Sequence, residues 1–112
     1  MLLRRGDIVL VNFDPALSGE AAATRPAVVV TNNLANDLSP AVVVVPTTTN
    51  TERIYPHEML LPNNRTGLNY DSKLQPQFIR GLSKKRIVKV IGYVPEDLMK
   101  EVDRRIREYL AL

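Results

Sequence analysis

The sequence predicts a mainly β fold with one helix (α+β), a small, strongly bent antiparallel barrel of six or seven short strands with a C-terminal helix packed on it. Three observations predict it. Two nearly unbroken β-branched runs, Val28-Val29-Val30 and Val42-Val43-Val44-Val45, stand between turn or breaker residues and fit strands buried on both faces. Further short apolar segments recur, punctuated by Gly, Pro and Asn. Only the last stretch of the chain carries a helical period.

Size and composition narrow the class. The 112 residues suit one domain, and 45% apolar content excludes a disordered chain. The longest apolar run is far short of a membrane span, so no membrane association is expected. No charged segment leads into an apolar stretch at the N-terminus, which speaks against a secretory signal. With no cysteine there is no disulfide, thiolate zinc site or cysteine nucleophile, and the cytoplasm is the expected compartment. The net charge of +3 is unevenly placed. Residues 95–112 hold four basic and five acidic side chains, and the rest of the chain holds eleven basic and seven acidic. A positive excess on the β part suits an anionic ligand such as nucleic acid, and it equally suits plain solubility.

Taken in order, Gly6-Asp7 is a turn and Ile8–Phe13 a strand closed by Asp14-Pro15. Ala16–Thr24, rich in small residues and without period, is a surface loop of a length that more often serves function than not. The two central strands follow, separated by a polar interlude around Asn32, Asn33, Asn36 and Asp37. Asn50–Pro56 is a second polar loop. His57–Leu61 is a strand stopped by Pro62 and the turn residues Asn63-Asn64. Leu68–Gln75 is a weak strand that Pro76 makes an edge or bent one. Phe78–Leu82 is a further strand, Ser83–Arg86 a single helical or tight turn, and Ile87–Val94 the last strand. Pro95 opens the helix, with Glu96 and Asp97 in the first turn where the dipole favours acids. Leu98, Val102, Ile106 and Leu110 form its stripe, widened by Met99 and Tyr109.

Several segments, in this order and spacing, resemble the MazF/PemK toxins, small endoribonucleases of bacterial toxin–antitoxin modules. They are Arg5-Gly6-Asp7-Ile8-Val9 with Phe13-Asp14-Pro15, Arg25-Pro26-Ala27-Val28-Val29-Val30, Val45-Pro46-Thr47-Thr48-Thr49-Asn50, Tyr55-Pro56-His57-Glu58, Ile79-Arg80 with Lys84-Lys85-Arg86-Ile87, and Ile91-Gly92. The resemblance runs over nearly the whole chain and implies an SH3-like barrel of the CcdB/MazF type. Two departures stand out. Where the family usually has a Gly-Ser-Glu-Gln-type loop with a further glycine, this chain reads Ser18-Gly19-Glu20-Ala21-Ala22-Ala23. Where many members place glutamine before the Ile-Arg pair, it has Phe78.

The resemblance implies metal-independent, sequence-preferring cleavage of single-stranded RNA, leaving a 2′,3′-cyclic phosphate and a 5′-hydroxyl. It makes Arg25 and Thr48 the catalytic pair and raises Glu20 from an exposed loop acid to a substrate or proton-transfer group. The chemistry agrees: a guanidinium stays charged and matches phosphate oxygens in a bidentate fork, and a threonine hydroxyl can donate to one of them. Thr47, Thr49 and Asn50 stand beside that pair as RNA-binding candidates. Arg53, Arg80 and Arg86 are candidates for phosphate contacts, with Lys84 and Lys85 equally readable as a solvated turn. Phe78 can stack an unpaired base or fill core. His57, inside an expected strand and outside the matching motifs, reads as structural. No cofactor or metal is expected, since the single histidine has no partner at ligand spacing and the acids are scattered.

The partners the resemblance implies are single-stranded RNA (messenger RNA first, then ribosomal or transfer RNA), a cognate acidic, partly disordered antitoxin laid across the same groove, and a second copy of the chain. A homodimer also fits the helix stripe, which with Leu112 offers more apolar surface than so small a barrel can cover. The alternative is a protein-binding toxin of the same fold, a gyrase poison, which has no chemical need for Arg25 beside Thr48.

Overall fold

The β-branched runs fold as the core of one antiparallel sheet. The computed structural model describes residues 1–13 and 24–112. The expected loop Ala16–Thr24 therefore lies outside the described residues, except Thr24, which opens a strand. The strands are β1 (Asp7–Asn12), β2 (Thr24–Val29), β3 (Ala41–Thr48), β4 (Met59–Leu61), β5 (Ser72–Leu74), β6 (Arg80–Ser83) and β7 (Ile87–Tyr93). They run in the order β4-β5-β3-β2-β1-β7, with β6 also on β3, and α3 (Glu96–Leu110) follows the last of them. The sheet is a half-barrel bent around that helix.

Strand β3 makes the bend. Its first half pairs with β6 from Ala41↔Ser83 to Val44↔Arg80, and its end pairs with β5 at Thr47↔Leu74 and Thr48↔Lys73. Pro46, with no N–H to give, stands at the hand-over, and its carbonyl accepts from the Gln75 N–H at 2.9 Å. The central strands are buried on both faces, as two valine runs require. Val9, Val11, Ala27, Val29, Val42 and Val44 join one core cluster, and Ile8, Val28 and Val45 join the other. Met99 and Val102 of α3 bury into the second cluster with Leu98 and Ile106 against it, whereas Tyr109, Leu110 and Leu112 stay exposed. Gly92 lets two backbones meet: a Cβ there would stand 2.4 Å from the Thr66 carbonyl oxygen.

Five segments depart from expectation, one of them the strand expected over His57–Leu61, where β4 begins only at Met59. The polar interlude contains a helix, α1 (Asn33–Leu38), started by Asn32, whose side-chain oxygen accepts from the Ala35 N–H at 2.9 Å. Asn63-Asn64 begins a one-turn helix, α2 (Asn63–Thr66), ended by Gly67 at φ 80°. The weak strand 68–75 shrinks to β5 and is interior, between β4 and β3, because Pro76 lies past its end and removes no ladder bond. Phe78 belongs to a 3₁₀ turn, Pro76–Phe78, so the next strand starts at Arg80. The turn expected over Ser83–Arg86 is a 3₁₀ turn, Lys84–Arg86, capped by the Ser83 hydroxyl.

Candidate functional site

The ladder of β2 and β3 brings the two central strand ends together. Its register, Val28↔Val45 and Ala27↔Pro46, carried two residues outward sets Arg25 opposite Thr48. Arg25 shares its strand face with Ala27 and Val29, and Thr48 shares its own with Val42 and Val44. Both therefore project on the side of the first core cluster, past the end of its apolar floor. The exposed Arg25 spans the strand gap: Nη2 donates to the Thr47 carbonyl at 3.4 Å and to Gln75 Oε1 at 3.2 Å. Among the described residues its other N–H groups have no partner. Thr48 Oγ1 accepts from the Asn50 N–H at 3.2 Å, and among the described residues its hydroxyl proton has no acceptor.

The pleat divides the three threonines that look alike in sequence. Thr47 is 1% exposed and its hydroxyl donates to the Pro26 carbonyl at 3.2 Å, so it ties β3 to β2 and has no route to a ligand. Thr49 lines a hollow with Pro26 and Ser72, on the side of the second cluster. Asn50 is exposed in the following loop, where its side-chain oxygen accepts from the Glu52 N–H at 3.4 Å.

The remaining candidates divide by place. Arg80 sits opposite Val44 on β6, on the face of Arg25, with its guanidinium 5.4 Å from the Phe13 ring centre. Arg86 donates from Nη1 to the Asn12 carbonyl at 3.3 Å, at the end of β1. Arg53 lies in the 50–58 loop, 4.6 Å over the Tyr55 ring. Phe78 is 54% exposed, which excludes the core-filling reading. Lys84 and Lys85 form the 3₁₀ turn before β7. Glu20 lies outside the described residues. His57 is in a turn rather than in the strand expected there, stacked on Tyr55 at 5.8 Å and tilted on Tyr109 at 5.1 Å.

A buried ionic knot beneath this surface escaped sequence reasoning. Glu58 Oε1 accepts from Lys73 Nζ and from the Tyr55 N–H, each at 2.9 Å, and Oε2 from Gln77 Nε2 at 2.8 Å. Lys73 also donates to the Arg53 carbonyl at 2.5 Å. Burial alone would raise the Glu58 pKa, but these hydrogen bonds and the Lys73 charge outweigh it and hold the carboxyl at about 2. The knot joins the 50–58 loop to the turn after β5, the segment that also presents Gln75 to Arg25. The only available signal was a charge at the edge of one apolar run, Glu58 before Met59-Leu60-Leu61; Lys73, between Ser72 and Leu74, carried none. Gln75, an ordinary polar residue before a proline, carried none. Among the described residues no group of three or more His, Asp or Glu could hold a metal ion.

Comparison with known proteins agrees in extent. The family model for PemK-like, MazF-like toxins of type II toxin–antitoxin systems matches residues 4–110. The endoribonuclease MazF9 of Mycobacterium tuberculosis is 37% identical over 116 aligned positions, covering 99% of this chain and 98% of the relative. Among solved structures, a MazE–MazF crystal structure from Deinococcus radiodurans has a TM-score of 0.85 at 24% identity, covering 100% of this chain and 98% of that one. A mycobacterial endoribonuclease in complex with its cognate antitoxin has a TM-score of 0.78 at 20% identity, covering 99% and 95%. Both structural likenesses bear on the fold.

Proposed function

The chain belongs to the PemK-like, MazF-like family of toxins of type II toxin–antitoxin systems, and on that premise we propose that it is the toxin endoribonuclease of such a module, cutting single-stranded RNA without a metal through Arg25 and Thr48. The observation that carries the reading is their placement: one guanidinium with N–H groups and one hydroxyl with a proton that have no partner among the described residues, on the same face of two paired strand ends. In the reaction the ribose 2′-oxygen bonds to phosphorus and the bond to the 5′-oxygen breaks, leaving a 2′,3′-cyclic phosphate and a 5′-hydroxyl. Arg25 holds the charge that builds on the phosphorane, and Thr48 donates to one of its oxygens. Gln75 steers the guanidinium. Glu20, with Arg25 as the alternative, takes the 2′-hydroxyl proton and returns one to the leaving 5′-oxygen. Arg80, on the same face, extends the phosphate track, joined by Arg86 and Arg53, and Phe78 offers a ring for stacking.

The test uses purified protein and a long RNA in EDTA. Cleavage is expected to persist in the chelator, and Arg25→Ala and Thr48→Ala each to lower it at least roughly tenfold with unchanged circular dichroism. Loss of cutting in EDTA, restored by a divalent metal, would refute the metal-free route. Full cleavage by both variants would return the protein-binding toxin to the front.

The same reading assigns the partners. An acidic antitoxin covers the RNA groove, so adding it blocks both cleavage and RNA binding; inhibition with RNA still bound would exclude a shared groove. A second copy covers apolar side chains left exposed on β7 (Val88, Val90, Tyr93) and at the end of α3 (Tyr109, Leu110, Leu112). Sedimentation equilibrium at micromolar protein is expected to give twice the 12.6 kDa chain mass; a mass that stays at one chain would refute the dimer. No helix among the described residues is long and apolar enough to cross a membrane, and the cytoplasm, where RNA is translated, is the compartment this function needs.

A further inference from the structure

On the opposite face of the same strand ends lies a hollow of about 160 Å³, lined by Pro26, Thr49, Leu68, Asn69, Tyr70 and Ser72. Pro26 and Thr49 are the chain neighbours of Arg25 and Thr48, so it opens one residue step from the catalytic pair and around the strand ends. Its rim is built rather than incidental. The Asn63 side chain donates to the Asn69 carbonyl at 3.3 Å, and the Asn63 N–H donates to Asp71 Oδ1 at 2.9 Å. These bonds hold the Asn69 backbone on one side of Tyr70 and the Asp71 side chain on the other. Tyr70 is nevertheless 71% exposed, and among the described residues its ring has no aromatic or cationic partner and its hydroxyl no hydrogen bond. The Asn69 amide and the Thr49 hydroxyl are likewise unpartnered there. An exposed, unused aromatic beside two hydrogen-bonding groups that are free among the described residues, and two apolar walls, Pro26 and Leu68, is the equipment for one splayed nucleobase.

We propose that this hollow is a base subsite of the RNA groove: the nucleotide next to the cleaved bond turns its base around the strand ends onto Tyr70, with Asn69 and Thr49 reading the base edge. This rests on the RNA-cleaving function proposed above and adds where sequence preference arises. It also gives Thr49 a part distinct from the phosphate contact expected of it. A base is favoured over a phosphate here because no cationic side chain lines the hollow.

The experiment maps the wild-type cleavage site, then compares short RNAs carrying an abasic residue at each position flanking it. Tyr70→Ala, a change at an exposed side chain, is expected to raise KM about tenfold with kcat nearly unchanged, and Tyr70→Phe to stay near wild type because it keeps the ring. At one flanking position the abasic RNA should raise the wild-type KM by a similar factor and make Tyr70→Ala no worse than wild type. Asn69→Ala should relax base preference at that position alone. Equal KM for wild type and Tyr70→Ala on intact RNA, or the same Tyr70→Ala defect on every abasic RNA, would overturn the subsite. Fluorescence anisotropy with a 2′-deoxy analogue separates the two proposals. If wild type fails to cut RNA but binds the analogue through Tyr70, the subsite stands and the nuclease reading falls. If wild type cuts but Tyr70→Ala binds the analogue equally well, the subsite falls alone.

Discussion

Acid should reach the Glu58–Lys73 knot before it reaches the apolar core. Glu58 is 1% exposed, and its carboxyl sits at about 2 against an ordinary 4.5. Burial would raise it, and the bonds from Gln77, the Tyr55 N–H and Lys73 more than reverse that. A depressed folded-state pKa means that the unfolded chain binds the proton more readily. The associated stability, about 3 kcal/mol from that difference, is fully present above pH 4.5 and lost as the pH falls toward 2. Glu58→Gln removes the titration and leaves Lys73 buried without a counter-charge, a loss on the order of 3–5 kcal/mol near neutrality. Urea midpoints followed by circular dichroism at pH 7, 5, 4, 3 and 2 then read the difference between wild type and variant. The gap should hold from pH 7 to 5 and shrink by about 3 kcal/mol between pH 4.5 and 2. Other carboxylates titrate in both proteins and cancel. A gap that stays constant over the whole range would refute this account of Glu58.

Two further substitutions test the geometry. Thr47→Val should cost about 1 kcal/mol, through the lost bond to the Pro26 carbonyl, while RNA cleavage stays within a few-fold of wild type; a cleavage loss as large as that of Thr48→Ala, with no change in melting temperature, would show that Thr47 meets the substrate. Gly92→Ala should destabilise by about 1–3 kcal/mol, because the new methyl group meets the backbone oxygen of Thr66, and an unshifted urea midpoint would contradict that close approach.

What could be read from sequence followed from how locally each feature is encoded. The valine runs, the single helical stripe and the positions of Gly and Pro report burial and chain direction within a few residues, and they sufficed for the two central strands and for α3. They could not reveal α1, which is six residues long, leaves Leu34 and Leu38 exposed and is distinguished only by the Asn32 cap. Nor could Pro76 say whether it lay inside β5 or past it. At the site, Arg25 and Thr48 were singled out through resemblance, and the register of β2 on β3 sets them opposite each other. The threonine run misled in part because three adjacent hydroxyls read as one cluster, although a strand sends Thr47 and Thr48 to opposite faces. Gln75 and the Glu58 knot depend on contacts between segments far apart in sequence, which composition and periodicity do not encode.

Burial on both faces of β1, β2 and β3 has a consequence for where the molecule opens. Amide protons in strands covered by a core on each side exchange only when much of the protein unfolds, whereas those in β4, β6 and the turn before β7 can exchange through small local openings. The backbone carrying Arg25 and Thr48 is thus continuous with the segment expected to exchange slowest, and the 50–58 loop joins it past Thr48. Fluctuations can reshape the approach to the groove while the spacing between guanidinium and hydroxyl holds.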